Sequence, residues 1–217
     1  MKEKKGEVFS VAYDNMPVPG CTVSKTVRTG RNDIIYFSLA KNTDISAEIY
    51  RYYKFILVLY GKIEVYGGES FLKKLSPGDA FLTPIGIPVG IRTDEGAVYT
   101  EFSVRKDDNM NEAVKAGEIF NLAELVPYAD GRIVNMDVAH NDNMKFVVMS
   151  FDEGTGLSEH AAPGDALVFA LDGEAVIGYE GKNFRIKAGE NFCFAKGGLH
   201  SVKADKKFKM ALLLTLD

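Results

Sequence analysis

The chain has 217 residues, 46% of them hydrophobic, which allows one large core or two of about a hundred residues each. A formal charge of −4, spread over both halves, gives no basic face for nucleic acid, and no apolar stretch nears the roughly 20 residues of a membrane span. Cys21 and Cys193 have no framework spacing, and "MKEKKGE" is followed by neither an apolar stretch nor a cleavage site, so a soluble protein in the reducing cytoplasm is expected.

In chain order the elements read as β. After a short helix expected behind Ser10 as N-cap, strand-like runs follow at "NDIIYFSLA" (32–40), "YKFILVLYG" (53–61), "KIEVYG" (62–67), "GDAFLTP" (78–84) and "AVYTEFSV" (97–104). The polar stretch "RKDDNMNEAVKAG" (105–117) suits a linker or one short surface helix. A second short helix is expected behind Asn121, with Glu124 completing a capping box. Strand signals then resume at "NMKFVVMSF", "DALVFALDG", "EAVIGYEG", "NFRIKAG", "ENFCFAKG" and "FKMALLLTL", with bends expected at Asp172-Gly173 and at Gly181-Lys182-Asn183. Short strands broken by Gly, Pro and Asn, without βαβ alternation, predict an antiparallel sandwich or barrel.

The second series repeats the first. "GEVFSVA" (6–12) returns as "GEIFNLA" (117–123), a displacement of 111 that also carries Gly20 to Gly131, Val23 to Val134, Val27 to Val138 and Asn32 to Asn143. With one residue inserted, "ISAEIYRYYKFILVLYGKIEVYG" lies on "LSEHAAPGDALVFALDGEAVIGY", and at the original displacement "LSPGDAF" matches "IKAGENF". A domain-sized period means two copies of one domain rather than a solenoid. The expected division is 1–104 for the first barrel, 105–116 for the linker and 117–217 for the second barrel, each opening with a short helix.

Both copies resemble cupins, and the whole chain resembles a bicupin: all-β, two tandem antiparallel barrels of the jelly-roll or double-stranded β-helix type. The C-terminal half, "GLSEHAAPGDALVFALDGEA" through "KAGENFCFAKGGLHSVKA", is similar to small single-domain cupins of unassigned function. The resemblance implies two motifs: Gly, five residues, His-x-His, three or four residues, Glu, six residues, Gly; then Gly, five residues, Pro-x-Gly, two residues, His. In metal-binding members the three histidines and the acid hold one divalent ion. Counted back from Gly173, the first histidine position is His160, the second is Ala162 and the acid position is Ala166; His200 takes the last ligand position and Ala195 stands where proline is usual. In the first copy Glu48, Tyr50, Lys54 and Val89 occupy the four positions, while Gly78, Pro84 and Gly86 keep the turn.

Two imidazoles are fewer than the three or more protein ligands that hold zinc, iron, manganese or nickel firmly. The candidate ligand-binding residues are therefore His160, His200 and Asp165, with His160 and His200 as the candidate metal ligands. No cofactor is firmly expected; a weakly bound divalent ion (Zn, Ni, Mn or Fe) in the C-terminal barrel is the one that the resemblance leaves open. Asp165 contributes only if its strand is bulged, since in a regular strand it and Ala166 point to opposite faces. The leading reading is a small-molecule-binding bicupin with its pocket in the C-terminal barrel, its ligand carbohydrate-like or a small carboxylate by family analogy. The alternatives are a metal-dependent isomerase or oxygenase using the same histidines, and a structural or interaction protein without an active pocket. Whether the chain is an enzyme stays open at this point.

Other residues read more plainly. His140 is expected on a solvated turn, Cys193 as a small core residue, and Ser158 lacks the surroundings of a hydrolase nucleophile. "EIYRYYK" (48–54) is either a surface or interface strand, or it sets Tyr50 and Lys54 inside the first barrel to meet an anionic or sugar ligand. Expected partners are a small molecule, no nucleic acid and no membrane, with the two barrels pairing within the chain and a homodimer left open.

Overall fold

The computed structural model describes residues 1–67 and 71–216, so Asp217, the last residue of the second expected barrel, lies outside the described residues. The first ten strands are β1 (Val8–Phe9), β2 (Thr22–Arg28), β3 (Ile34–Leu39), β4 (Thr43–Ile49), β5 (Tyr53–Gly61), β6 (Ile63–Tyr66), β7 (Leu72–Leu75), β8 (Asp79–Leu82), β9 (Pro88–Thr93) and β10 (Ala97–Val104). The others are β11 (Asn109–Met110), β12 (Ile119–Asn121), β13 (Ile133–Asn141), β14 (Met144–Phe151), β15 (Gly156–Ala161), β16 (Asp165–Tyr179), β17 (Lys182–Lys187), β18 (Asn191–Phe194), β19 (Leu199–Lys203) and β20 (Phe208–Thr215). All pairings are antiparallel, as the run lengths and turn residues predict. Among the described residues no helix is long and apolar enough to cross a membrane.

The chain divides into two compact units, and the division does not follow chain order at its ends. One comprises Val11–Asp108 and Glu112–Asn121; the other comprises Met1–Ser10, Asn109–Asn111 and Leu122–Asp217. In the first unit a six-stranded sheet runs β12-β8-β5-β10-β3-β2, and a four-stranded sheet runs β4-β9-β6-β7. β10 is its central strand, and all eight of its residues are buried. One face carries Ala97 and Tyr99 into a core with Ile56, Val58, Val89 and Ile91. The other face stacks Phe102 on Phe55 at 4.6 Å between ring centroids, with Phe120 of β12 edge-on to Phe55.

In the second unit one sheet runs β1-β18-β16-β20-β14-β13-β11. β16 passes from this sheet into the other: its first half pairs with β18 and β20, its second half with β17 and β19. The bend expected at Asp172-Gly173 is a strand irregularity between Ala170 and Asp172, not a turn. Glycine is needed there: Gly173 sits at φ +71, and a Cβ on it would lie 2.0 Å from the Lys207 carbonyl oxygen. Gly61, its repeat counterpart, sits at φ +65 with a Cβ position 1.9 Å from the Gly96 carbonyl oxygen. The same backbone approach is thus built into both units. Glu180 and Gly181, at φ 49 and 75, make the two-residue hairpin between β16 and β17.

The helices are shorter than expected and capped differently. One 3₁₀ turn spans Tyr13–Asn15 with Ala12 as N-cap and no side-chain cap, while the Ser10 hydroxyl donates to the Gly189 carbonyl. The other spans Leu122–Glu124, directly after Asn121 at the end of β12. No helix forms in 105–117; Asn109–Met110 pairs with Ala139 and His140 of β13 instead. His140 is exposed as expected, but it stands in β13, and the turn follows at Asn141–Met144 with the Asn141 carboxamide oxygen accepting from the Asn143 and Met144 amides.

Candidate functional site

His160 is the last residue but one of a short edge strand, β15, and His200 lies in its partner, β19. A register shift between Leu157 and His160 brings His160 directly opposite His200. The rings lie 4.2 Å apart between centroids, tilted by 51°. Each Nδ1 points at the carbonyl two residues earlier: His160 to Ser158 at 2.8 Å and His200 to Gly198 at 3.2 Å. A carbonyl oxygen only accepts, so Nδ1 carries the hydrogen in both rings, and a ring in its neutral form then keeps the Nε2 lone pair for another partner.

The two rings differ in setting. His160 is exposed, whereas His200 is 6% exposed and stacks on Phe194 at 4.1 Å. Burial pushes the His200 pKa below 6.5 and the nearby His160 adds to this, against the raising effect of the Gly198 carbonyl. His200 is therefore neutral at pH 7.

The remaining ligand positions are apolar. Ala162 and Ala166 are buried in the same core cluster as Phe192, Phe194 and Val202. β16 runs in register with β20 from Asp165 through Ala170, so no bulge turns Asp165 toward the histidines. Its carboxylate instead accepts from the Met1 ammonium at 2.6 Å and the Lys196 amide at 3.0 Å, with Lys5 Nζ at 3.2 Å. Burial raises its pKa, but these three donors outweigh that and hold it below the usual carboxylate value. Among the described residues no group of three or more His, Cys, Asp or Glu side chains converges on a metal position. Two imidazoles beside two alanines do not fit a firmly held ion.

Cys193 is buried, and desolvation pushes its thiol up to about 11, which suits a core residue and not a nucleophile. His160 meets the carbonyl of Ser158 through Nδ1, not its hydroxyl.

The first unit repeats the local geometry with other chemistry. A register shift between Ile45 and Glu48 sets Glu48 opposite Val89, as His160 stands opposite His200. Tyr50 donates a short hydrogen bond to Glu48, and its ring lies 3.7 Å from Lys54 Nζ. Lys54 Nζ is 3.1 Å from Glu101 Oε1, in an ion pair whose side chains are 12% and 8% exposed. Glu101 and Tyr99 were not among the sequence candidates. The signal for both was a lone carboxylate within "AVYTEFSV", an otherwise uncharged strand.

No family model matches the sequence, and no curated protein matches it. Among solved structures the chain is similar to a cupin 2 conserved barrel domain protein from Leptotrichia buccalis, with 29% identity over 99% of this chain and 98% of that one and a TM-score of 0.86. It is also similar to a mutant of salicylate 1,2-dioxygenase from Pseudoaminobacter salicylatoxidans, with 11% identity over 85% of this chain and 71% of that one and a TM-score of 0.60. A mutant of Bacillus subtilis oxalate decarboxylase OxdC matches with 14% identity over 98% of this chain and 78% of that one, at a TM-score of 0.56. At such identities these last two speak for the fold alone. The neighbours are cupin-barrel proteins, and this all-β chain has the cupin-type fold.

Proposed function

We propose that the chain is a small-molecule-binding bicupin whose working site is the His160–His200 pair of the C-terminal unit. The observation that carries this reading is the adjacency of two imidazoles, 4.2 Å apart between centroids, each with its Nδ1 hydrogen engaged by a main-chain carbonyl. Rings held in this way keep their Nε2 lone pairs to accept hydrogen bonds from a ligand rich in hydroxyls. A carboxylate would need a protonated ring, and the lowered pKa of His200 disfavours that at neutral pH. Between the two ligand classes that the family analogy offers, the chemistry therefore favours the carbohydrate-like one. The matching register shifts and glycines of the two units support the two-barrel reading.

The test is calorimetric titration of the full chain with monosaccharides at about pH 7, above the ordinary histidine range. Saturable binding that disappears in His160→Ala/His200→Ala is the expected result. Binding that survives the double substitution, or none at all, overturns the assignment.

One observation favours a second reading. A ring with its Nδ1 hydrogen engaged is the state in which histidine ligates metals through Nε2. A weakly held Zn, Ni, Mn or Fe ion between the two Nε2 atoms would leave most of its coordination sphere to water or substrate, as an isomerase- or oxygenase-type site requires.

A further inference from the structure

β2 is an edge strand. Among the described residues it pairs with β3 alone, and Thr22, Val23, Ser24 and Lys25 are all exposed. The equivalent strand of the second unit, β13, is set differently. The displacement of 111 carries Thr22, Val23 and Lys25 to Ile133, Val134 and Met136, which are half-buried. β11 pairs with the far end of that edge, and the Asn111 amide and carboxamide donate to the Val138 and Asp137 carbonyls. One copy of the repeat thus carries a covering segment where the other is open. An open edge templates pairing with another strand, and proteins normally blunt it with charge or proline. Cys21 to Ser24 contain neither.

The ladder decides which peptide groups face outward. The Ala40 amide donates to the Cys21 carbonyl at 3.0 Å, so Cys21 and, by alternation, Val23 bond toward β3. Thr22 and Ser24 therefore turn their N–H and C=O to the open side. Val23 and Lys25 stand on the sheet face of their partners Ser38 and Tyr36, opposite the face of Phe37 and Leu39 that meets the core. Beside the edge that outer face is apolar. Tyr13, Met16, Val18, Val23 and Tyr60 are five of the nine large hydrophobic side chains exposed among the described residues. Met16 and Val18 line a groove of about 230 Å³ with Val23, and Met16 lines a second one with Tyr60, whose ring meets Tyr13 at 6.5 Å. Contiguous exposed apolar surface of this kind marks an interaction site.

We infer that this edge is an interface between two copies of the chain, in which β2 pairs antiparallel with β2 of the second copy about a two-fold axis at Val23. An isologous contact needs a strand that complements itself. Thr22-Val23-Ser24 does so. Thr22 meets Ser24 of the second copy, so their outward peptide groups exchange hydrogen bonds and hydroxyl faces hydroxyl, while Val23 meets Val23. Met16 and Val18, which border Val23 in each copy, bring the apolar surface of both copies to the axis. Charge selects the register. An axis at Lys25 sets two ammonium groups face to face, and one at Ser24 leaves them about 7 Å apart along the strands. At Val23 they stand about 14 Å apart, beyond the Debye length of about 8 Å. An axis at Thr22, the first residue of β2, leaves half of the pairing outside the strand. A strand of another protein is the competing occupant, and the self-matching of this edge favours the second copy.

The test is sedimentation equilibrium of the full chain from about 1 to 100 μM, a range that spans a micromolar Kd. The native protein is expected to reach twice the monomer mass. Ser24→Pro removes an outward N–H and no bond to β3, so it is expected to stay folded and to lose the dimer. Val23→Lys, which sets two like charges at the axis, is expected to lose it as well. A pair not hydrogen-bonded to each other has its Cα atoms about 4.5 Å apart, within the roughly 4.4–6.8 Å that a disulfide spans. Val23→Cys in a Cys21→Ser background is therefore expected to oxidise to a disulfide-linked dimer. His160→Ala/His200→Ala should dimerise as the native chain does, which separates this interface from the C-terminal site. The inference is overturned by a native chain that stays monomeric at about 100 μM, by a dimer that persists in either folded variant, or by a dimer that does not cross-link through residue 23.

Discussion

Replacing Lys54 with methionine keeps a chain of similar length and removes the one counter-charge paired with Glu101 among the described residues. In the native protein burial raises the Glu101 pKa, and Lys54 partly offsets this. Without Lys54 the carboxylate is left 6% exposed and uncompensated. Breaking a buried pair in this way costs about 3–5 kcal/mol. The sign of the pH dependence follows from the raised pKa: the folded state keeps a proton that the unfolded chain has already lost. Stability is therefore fullest below about 4.3, the unperturbed glutamate value, and falls as pH rises through the folded pKa. Lys54→Met moves that folded value further up and stretches the window toward neutrality. Urea unfolding of both proteins at about pH 7.5 and at about pH 3.5, the latter below the unperturbed glutamate value, measures the effect. The destabilisation should reach its full size at the higher pH and shrink at the lower one. In Lys54→Met/Glu101→Leu most of the loss should be recovered. A loss under about 1 kcal/mol, typical of exposed pairs, or an equal loss at both pH values, would refute the reasoning.

Gly61→Ala and Gly173→Ala should each destabilise by more than about 1 kcal/mol, because both positions combine positive φ with backbone contact; an unchanged thermal midpoint would contradict this. The His200 ring should titrate below 6.5 by NMR, and Phe194→Leu, which loosens the stack on its face, should move the midpoint upward. Because that pKa is depressed, the stability His200 contributes is present above about 6.5 and is lost as pH falls through its folded value. Asp165→Ala should cost about 1.5–3 kcal/mol through its charge-assisted bonds to Met1 and Lys5, measured by denaturant unfolding, and should leave binding at the histidine pair unchanged.

Much of this was legible in the residues. The repeat aligns Gly61 with Gly173, and both sit at positive φ against a neighbouring carbonyl oxygen, a backbone requirement that side-chain drift leaves intact. Alternation along β16 was enough to set Asp165 and Ala166 on opposite faces, and no bulge intervened. The strand register shifts before Glu48 and His160 were not legible, since a bulge has no fixed residue signature. Nor was the sharing of short end segments between the units, with Met1–Ser10 counted in the unit of Leu122–Asp217. β1 is a two-residue strand, and such brief pairing leaves no periodicity to read. Glu101 was missed for another reason. Counting family positions finds only residues that the family uses, and this carboxylate stands on β10, outside both motifs.

Metal content measured on protein purified without added metal, with His160→Ala/His200→Ala alongside, tests most directly the claim that the C-terminal unit offers a binding pair and not a coordination sphere. The account predicts well under one equivalent of any transition metal in the native protein, with no difference between the two samples. Close to one equivalent, lost on the double substitution, would contradict it.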